Sequence, residues 1–374
     1  MTALTPAPKA PLSFSEQLTR LHLDLWLITL LACIGGLGLV VLYSAAGNSL
    51  GYVVSQLERL LLGFVVMATL AQVPPELYRA AAPWLYGVGC MLLVLVLLLG
   101  DHAKGAQRWL DLKVIRFQPS EMMKLGMPLM VSAWLHTRAL PPSWKDVLIT
   151  LGIILVPFGL VAIQPDLGTG LLIIAAGVFA LYLAGLSWKW IATAALTIAA
   201  LAPVAWYRLH DYQRKRVLTF LDPESDPLGA GYHITQSKIA IGSGGIFGKG
   251  WLHGTQAKLD FLPESHTDFI FSVYAEELGM IGVALLLTLY ALVVGRGLYI
   301  ALKGHDSFQR LLAGSLSMTF FCYVFINMGM VMGLLPVVGV PLPLFSYGGT
   351  SAVTLLAGFG MLMSIHTHRK LLTA

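Results

Sequence analysis

Of the chain's 374 residues, 57% are hydrophobic and 11% are charged, against roughly 25% charged in a soluble protein. This excludes a soluble enzyme and points to one polytopic membrane domain over residues 1–374. The formal net charge of +5 comes from dispersed Lys and Arg with no basic face or arm, which excludes nucleic acid as a partner.

Residues 1–22 form a polar leader rich in Pro, Ala and Ser. An apolar run at 23–43 is long enough to cross a bilayer. Ser44-Ala45-Ala46 behind it resembles a signal-peptidase site, but the run exceeds the roughly 7–15 residues of a signal core, so an uncleaved span is expected. Further apolar segments follow at 57–71, 84–99, 122–135, 147–163, 167–186, 190–207, 269–292, 311–332 and 350–365. The fold expected is all-α, with about ten transmembrane helices. Cys33, Cys90 and Cys322 lie inside apolar segments without metal spacing, and are expected to be buried free thiols. An even number of spans places both termini on one side. The loops on that side carry Arg20, Arg79, Arg138, Lys145, Lys189, Arg296, Lys303, Arg310 and Arg369, so it is read as cytoplasmic.

The outward loop at 101–119 breaks that charge rule, with Lys104, Arg108, Lys113 and Arg116. Either these cations meet an anion at the outer surface, or Asp101, Asp111 and Glu121 balance them locally. Glu121 and Lys124 lie three residues apart and share a helix face. Each costs about 2.5–3.5 kcal/mol at a helix centre, so they face a polar cavity or pair with each other. The outward segment 208–267, between the seventh and eighth spans, is far longer than a connection requires. Its stretch GYHITQSKIAIGSGGIFGKGW (231–251) is too apolar for a free linker. It is expected to lie on the membrane surface or fold back into the bundle, with the glycines of 242–250 as an anion-binding nest or a flexible turn.

Where that segment meets the eighth span, FLPESHTDFIFSVYAEELG (261–279) sets Asp268 at a polar–apolar boundary. Ser265 followed three residues later by an acid is a capping-box pattern. A carboxylate at such a boundary also suits chemistry on a substrate that straddles it. Finally, Pro336, Pro341 and Pro343 in GLLPVVGVPLPLFSYGGTS (333–351) exclude a continuous helix. Such backbone is tolerated where it lines a wet cavity or is buried in protein.

FQPSEMMKLG (117–126), IQPDLGTG (163–170), GSGGIFGKGWLHGTQ (242–256) and the two stretches just quoted, in this order, together resemble the SEDS family of shape, elongation, division and sporulation proteins. The resemblance is nearest to the elongation branch, with the division branch as the near alternative. It implies a peptidoglycan glycosyltransferase that polymerises lipid II at the outer face of the cytoplasmic (inner) membrane, with the active site facing the periplasm. The implied partners are a class B penicillin-binding protein that cross-links the strands and other elongation-complex proteins. By motif match the essential acid is Asp268, the outer-loop tryptophan is Trp109, and the acid–base pair is Glu121 and Lys124. Arg108, Lys113, Arg116, Lys124, Arg214 and Arg216 are the candidates to meet pyrophosphate, and Ser346 joins the substrate-binding set. The family also implies a divalent cation, Mg or Mn, for which the sequence has no recognisable motif; no organic cofactor is expected. A lipid II flippase is the rival from another class. It would show internal repeats with matching broken helices, and no repeat is visible in the sequence.

Overall fold

A computed structural model describes residues 21–103, 106–111, 116–208, 211–222, 226, 229–259, 261–262 and 264–368. The leader before residue 21, Lys104, Lys113 and Arg369 lie outside the described residues. The chain is an all-helical polytopic bundle with one small accessory sheet. In order come α1 (Leu25–Ala45), α2 (Leu50–Ala71), α3 (Pro75–Leu99), β1 (Asp101–Ala103), β2 (Ala106–Asp111), β3 (Arg116–Phe117), α4 (Pro119–His136), α5 (Trp144–Ile163) and α6 (Leu167–Leu183). Then follow α7 (Trp188–Arg208), α8 (Asp211–Leu221), α9 (Ala230–Ser243), α10 (Thr255–Lys258), α11 (Ile270–Leu302), α12 (Ser307–Val331) and α13 (Thr350–Thr367).

Among the described residues seven helices are long and apolar enough to cross a membrane: α1, α2, α3, α5, α11, α12 and α13. The remaining predicted spans coincide with α4, which carries Glu121 and Lys124, and with the apolar helices α6 and α7. The helices α2 and α3 begin at Leu50 and Pro75, well before the apolar runs. Their first turns hold polar residues, such as Gln56 and Glu76, that a run of hydrocarbon cannot reveal.

The most enclosed span is α12, which packs against α4, α6, α11 and α13. Small residues allow this. Gly297 of α11 faces Ser317 so closely that a Cβ would lie 2.2 Å from its Oγ, and Ser315 donates to the carbonyl of Ala176 on α6 at 2.6 Å. With no hydrophobic drive between helices in lipid, such close backbone approach and interhelical bonding supply the association.

The two ends of the described residues meet on one side of the bundle. His22 stacks on His368 at 3.9 Å, and its Nδ1 lies 3.1 Å from Thr367 Oγ1. Asp24 caps α1 by accepting from the Trp26 and Leu27 amides, and it takes two bonds from Arg296 of α11 at 2.9 and 2.8 Å.

The outward segment 208–267 holds α8, α9 and α10. In the connection 101–119, β1, β2 and β3 form a three-stranded antiparallel sheet, which the all-α expectation did not include. All three cysteines are free, but Cys33 is exposed on α1 rather than buried; an all-apolar span has a lipid face, and burial in protein does not follow from hydrophobicity.

The glycine-rich run after α9 is neither a nest nor a flexible turn. Gly279, with φ 64° and ψ −161°, breaks α11. The carbonyls and amides orphaned by that break are satisfied by the run: Lys249 and Gly250 donate to the carbonyls of Glu276 and Glu277, while Met280 and Ile281 donate to those of Gly245 and Ile246. Inside a membrane a broken helix persists only when protein supplies these partners. A non-glycine residue at φ 64° is strained, which is why glycine stands at the break.

Candidate active site

Asp268 lies two residues before α11 and is partly exposed. The capping-box alternative is not realised. The helix starts after Phe269 without a side-chain cap, and Ser265 donates to the carbonyl of Ala45 at 2.9 Å. Nearby, Thr267 donates to Glu264 Oε2 at 2.8 Å, and the Tyr347 amide donates to the His266 carbonyl at 2.9 Å. The turn bearing Asp268 is thus fastened to α1 on one side and to the proline-rich segment on the other.

Asn327, fully buried on α12, donates to the carbonyls of both Asp268 (2.9 Å) and Val340 (2.7 Å). Gly339 has φ 72°, and a Cβ there would lie 3.6 Å from Asp268 Oδ2. The broken stretch between α12 and α13 therefore runs alongside the carboxylate. Ser346 is buried within it, and its hydroxyl accepts from the Leu342 amide at 2.8 Å, closing a turn after Pro341 and Pro343. Gln56 of α2 donates to the Ser346 carbonyl at 3.1 Å.

The same stretch leads to a second polar corner. Gly168 at the start of α6 approaches the Val338 carbonyl so closely that a Cβ would lie 2.6 Å from it. Two residues earlier, Asp166 caps α6 by accepting from the Thr169 amide at 3.3 Å and accepts from Gln118 at 3.0 Å. Arg108 reaches the same corner from β2. Its Nη2 donates to the Pro165 carbonyl at 2.5 Å, and its Nε lies 3.9 Å from Asp166 Oδ2. Trp109 follows on β2, half-buried and paired with Asp101 across the sheet. On α4, Lys124 donates to Glu121 at 2.6 Å, and both side chains are 7% exposed. The Lys124 ammonium stands 5.0 Å above the Tyr323 ring, one helical turn from Asn327. The second oxygen of Glu121 is buried without a partner, as is Arg108 Nε.

The structure thus gathers Arg108, Trp109, Glu121, Lys124, Ser346 and Asp268 at one end of the bundle, linked through α12 and residues 338–346. Arg214 lies on α8, where it donates to the carbonyls of Trp206 and Tyr207 at 3.0 and 2.8 Å and so caps α7. Arg216 is on the same helix. Arg116 belongs to β3, opposite Asp111.

Beside the Asp268 turn opens a cleft of about 770 Å³ between the α1–α2 connection and the turn itself, lined in part by Ser44, Asn48, Tyr52, Lys258, Glu264 and His266. Tyr52, His266 and Tyr347 pack ring to ring at 5.1–6.1 Å, and Arg59 lies 4.5 Å over the Tyr347 ring. Sequence reasoning missed Asn327, Asp166, Arg59 and this aromatic group. Only Asp166 carried a signal, as the sole acid in a tight interspan turn.

Below the turn, Glu276 and Glu277 are buried side by side. Glu276 accepts from Lys249 at 2.6 Å and from the Thr255 amide at 2.9 Å; Glu277 accepts from Ser44 and from the Leu252 amide. They bind the glycine-rich run and α1 to the base of the site. Among the described residues no three His, Cys, Asp or Glu side chains converge as a metal cage.

The chain is similar to known proteins over nearly its whole length. A family model for the FtsW, RodA and SpoVE cell cycle proteins matches residues 23–371. The peptidoglycan glycosyltransferase MrdB of Escherichia coli K12 is 53% identical over 355 residues, covering 95% of this chain and 96% of that protein. A probable peptidoglycan glycosyltransferase FtsW of Hydrogenovibrio crunogenus is 36% identical, covering 94% and 93%. Among solved structures, a chain from a peptidoglycan synthase complex that coordinates polymerization and crosslinking matches with a TM-score of 0.80 at 35% identity, covering 92% and 97%. The rod shape determining protein RodA of Thermus thermophilus matches with a TM-score of 0.71 at 31% identity, covering 93% and 97%. The chain belongs to the SEDS family, the family of FtsW, RodA and SpoVE.

Proposed function

We propose that the chain is the elongation-type peptidoglycan glycosyltransferase, polymerising lipid II at the outer face of the cytoplasmic membrane. The observation that carries this reading is the placement of Asp268. A partly exposed carboxylate sits on a turn that Asn327 pins and whose residues 264–266 line an open cleft, at the end of the bundle where the basic residues of β2 and α4 also gather.

The donor sugar is joined α to pyrophosphate and the product is β-1,4 linked. One inverting displacement suffices, with a base on the acceptor hydroxyl and positive charge on the departing group. Asp268 takes the proton of the acceptor 4-hydroxyl as its oxygen attacks the donor anomeric carbon and the bond to pyrophosphate breaks. Arg108 and Lys124 meet the pyrophosphate, with Arg116, Lys113 and Arg216 as further cations of the outer segments. Glu121 balances Lys124 so that the ammonium is tolerated in an apolar surround until the anion arrives. Trp109 stacks on sugar or lipid. Ser346 shapes the wall next to Asp268, and Arg214 supports α8 through the end of α7. Among the described residues no cluster of His, Cys, Asp or Glu would hold a divalent cation by protein ligands alone.

This reading places both termini in the cytoplasm and Asp268 toward the periplasm, in agreement with the basic residues of the opposite loops. It also takes a class B penicillin-binding protein as the partner, in line with the synthase-complex relative. The test is purified protein given labelled lipid II and moenomycin, with and without that partner. Moenomycin-resistant glycan strands support the reading. Lipid II crossing a vesicle membrane without strands would instead indicate a flippase, and neither outcome would leave a scaffold.

A further inference from the structure

At the opposite end of the bundle from Asp268, α3 begins and α4 ends. Between them lies an open cleft of about 540 Å³, lined by Arg79, Pro83, Met130, Trp134, His136 and Thr137 among others. Its wall is hydrocarbon at Pro83 and Met130, and its rim is basic. Arg79 Nη1 lies 2.9 Å from His136 Nε2. An arginine can only donate, so Nε2 accepts. The ring proton is then on Nδ1, which faces Ser307 Oγ at 2.9 Å. The His136 ring thus holds the guanidinium in place from one side and meets Ser307 on the other. Asp306 forms a salt bridge with the same Nη1 at 3.6 Å. Arg138 lies 4.3 Å over the Trp134 ring, with Asp146 3.8 Å from its Nε. The Arg79 side chain, in the cleft lining, is 37% exposed, and that of Arg138, stacked on the lining Trp134, is 43% exposed. The Trp134 Nε1–H is buried with no acceptor in the protein.

We propose that this cleft binds the headgroup of an anionic phospholipid, with an acyl chain along the Pro83–Met130 wall. The planar Arg79 fork in the lining matches phosphate oxygens, with the Arg138 charge beside it over Trp134, and the indole N–H is a donor in want of an acceptor. Basic pockets between spanning helices at the cytoplasmic surface suit anionic lipids. A soluble anion would gain nothing from the apolar wall. A seated headgroup would join α3, α4 and the start of α12 through Arg79, His136 and Ser307. The assignment to the inner leaflet, though not the site itself, rests on the orientation proposed above.

The test is native mass spectrometry of the full chain in detergent, titrated with phosphatidylglycerol and, separately, phosphatidylcholine. The expected preference for phosphatidylglycerol is about thirtyfold, the equivalent of about 1 kcal/mol for each of the two arginines. The double variant Arg79→Gln, Arg138→Gln loses that preference. Lys189→Gln, the same kind of charge change at the start of α7, keeps it. Trp134→Phe preserves the packing and weakens binding severalfold, which holds the proposal open to test should the double variant misfold. Equal binding of the two lipids, equal loss in Lys189→Gln, or displacement of the lipid by an equal concentration of glycerol phosphate overturns the proposal. Thr137→Cys probed with a membrane-impermeant maleimide checks the side. Labelling in intact spheroplasts, with phosphatidylglycerol binding unchanged, would overturn the leaflet assignment and the orientation behind it but not the headgroup site.

Discussion

One amide of Asn327 holds two carbonyls at once, those of Asp268 at 2.9 Å and Val340 at 2.7 Å. Through that contact the least exposed span sets the position of the carboxylate relative to the broken stretch that walls it. Replacing Asn327 by Ala leaves both carbonyls without that donor, at a cost of about 1–3 kcal/mol for a buried group left unpaired. The larger effect falls on catalysis: kcat drops about 10- to 100-fold through mispositioning of Asp268, while KM for lipid II changes little. Single-turnover and steady-state rates on the purified variant check this. A rise in KM at unchanged kcat would assign Asn327 to substrate binding instead.

The Glu121–Lys124 pair separates stability from activity. Removing either partner strands a buried charge, at about 3–5 kcal/mol. The double variant Glu121→Gln, Lys124→Met regains most of that stability because no charge is left over. If Lys124 meets pyrophosphate, the double variant remains inactive in spite of its restored Tm. Recovery of both stability and activity would make the pair purely structural. Lys303→Ala, on the opposite face, serves as the peripheral control.

The glycines of the run 242–250 are not equivalent. Gly248 has φ 78°, and its Cβ would lie 2.1 Å from the Glu277 carbonyl, whereas a Cβ at Gly242 meets nothing within 4 Å. Gly248→Ala is expected to destabilise by about 1–3 kcal/mol or more, and Gly242→Ala, inside α9, to stabilise by up to about 1 kcal/mol. Thermal unfolding of the two variants in one detergent decides between this and a flexible turn, which would tolerate both.

His233 supplies a pH dependence outside the spans. Burial against Phe269, at 5.8 Å between rings, lowers its pKa below 6.5; Glu264 and Asp226 oppose that shift. A base whose folded pKa is depressed binds fewer protons folded than unfolded below pH 6.5, so its contribution is present above that pH and is lost as pH falls through the folded value. Tm is expected to fall more steeply between pH 7 and pH 5 in the wild type than in His233→Phe. Parallel curves would contradict this.

Much of the bundle was legible because hydrocarbon runs of spanning length have few alternatives, and because prolines at 336, 341 and 343 forbid a helix. The first turns of α2 were not, since Gln56 precedes the apolar run at 57–71, and the role of Arg59 within that run does not show in its hydrophobicity. Those side chains face Ser346 and Tyr347, almost three hundred residues away in sequence. The glycine-rich run was misread for the same reason. Its amides complete a helix broken at Gly279, and neither segment explains itself without the other. Asp268 stood out as a carboxylate at an apolar boundary, but its hold by Asn327 appears only when α12 is in place. Lys113 lies outside the described residues, and the roles of Arg116 and Arg216 rest on the proposed function alone.

The most direct measurement of the central claim is glycan synthesis from labelled lipid II, in moenomycin, by purified Asp268→Asn protein whose thermal unfolding matches the wild type. The amide keeps the shape and removes the base, so polymer formation should fall by about 10²–10⁴-fold. Strands made at the wild-type rate would contradict the assignment of the proton acceptor to Asp268.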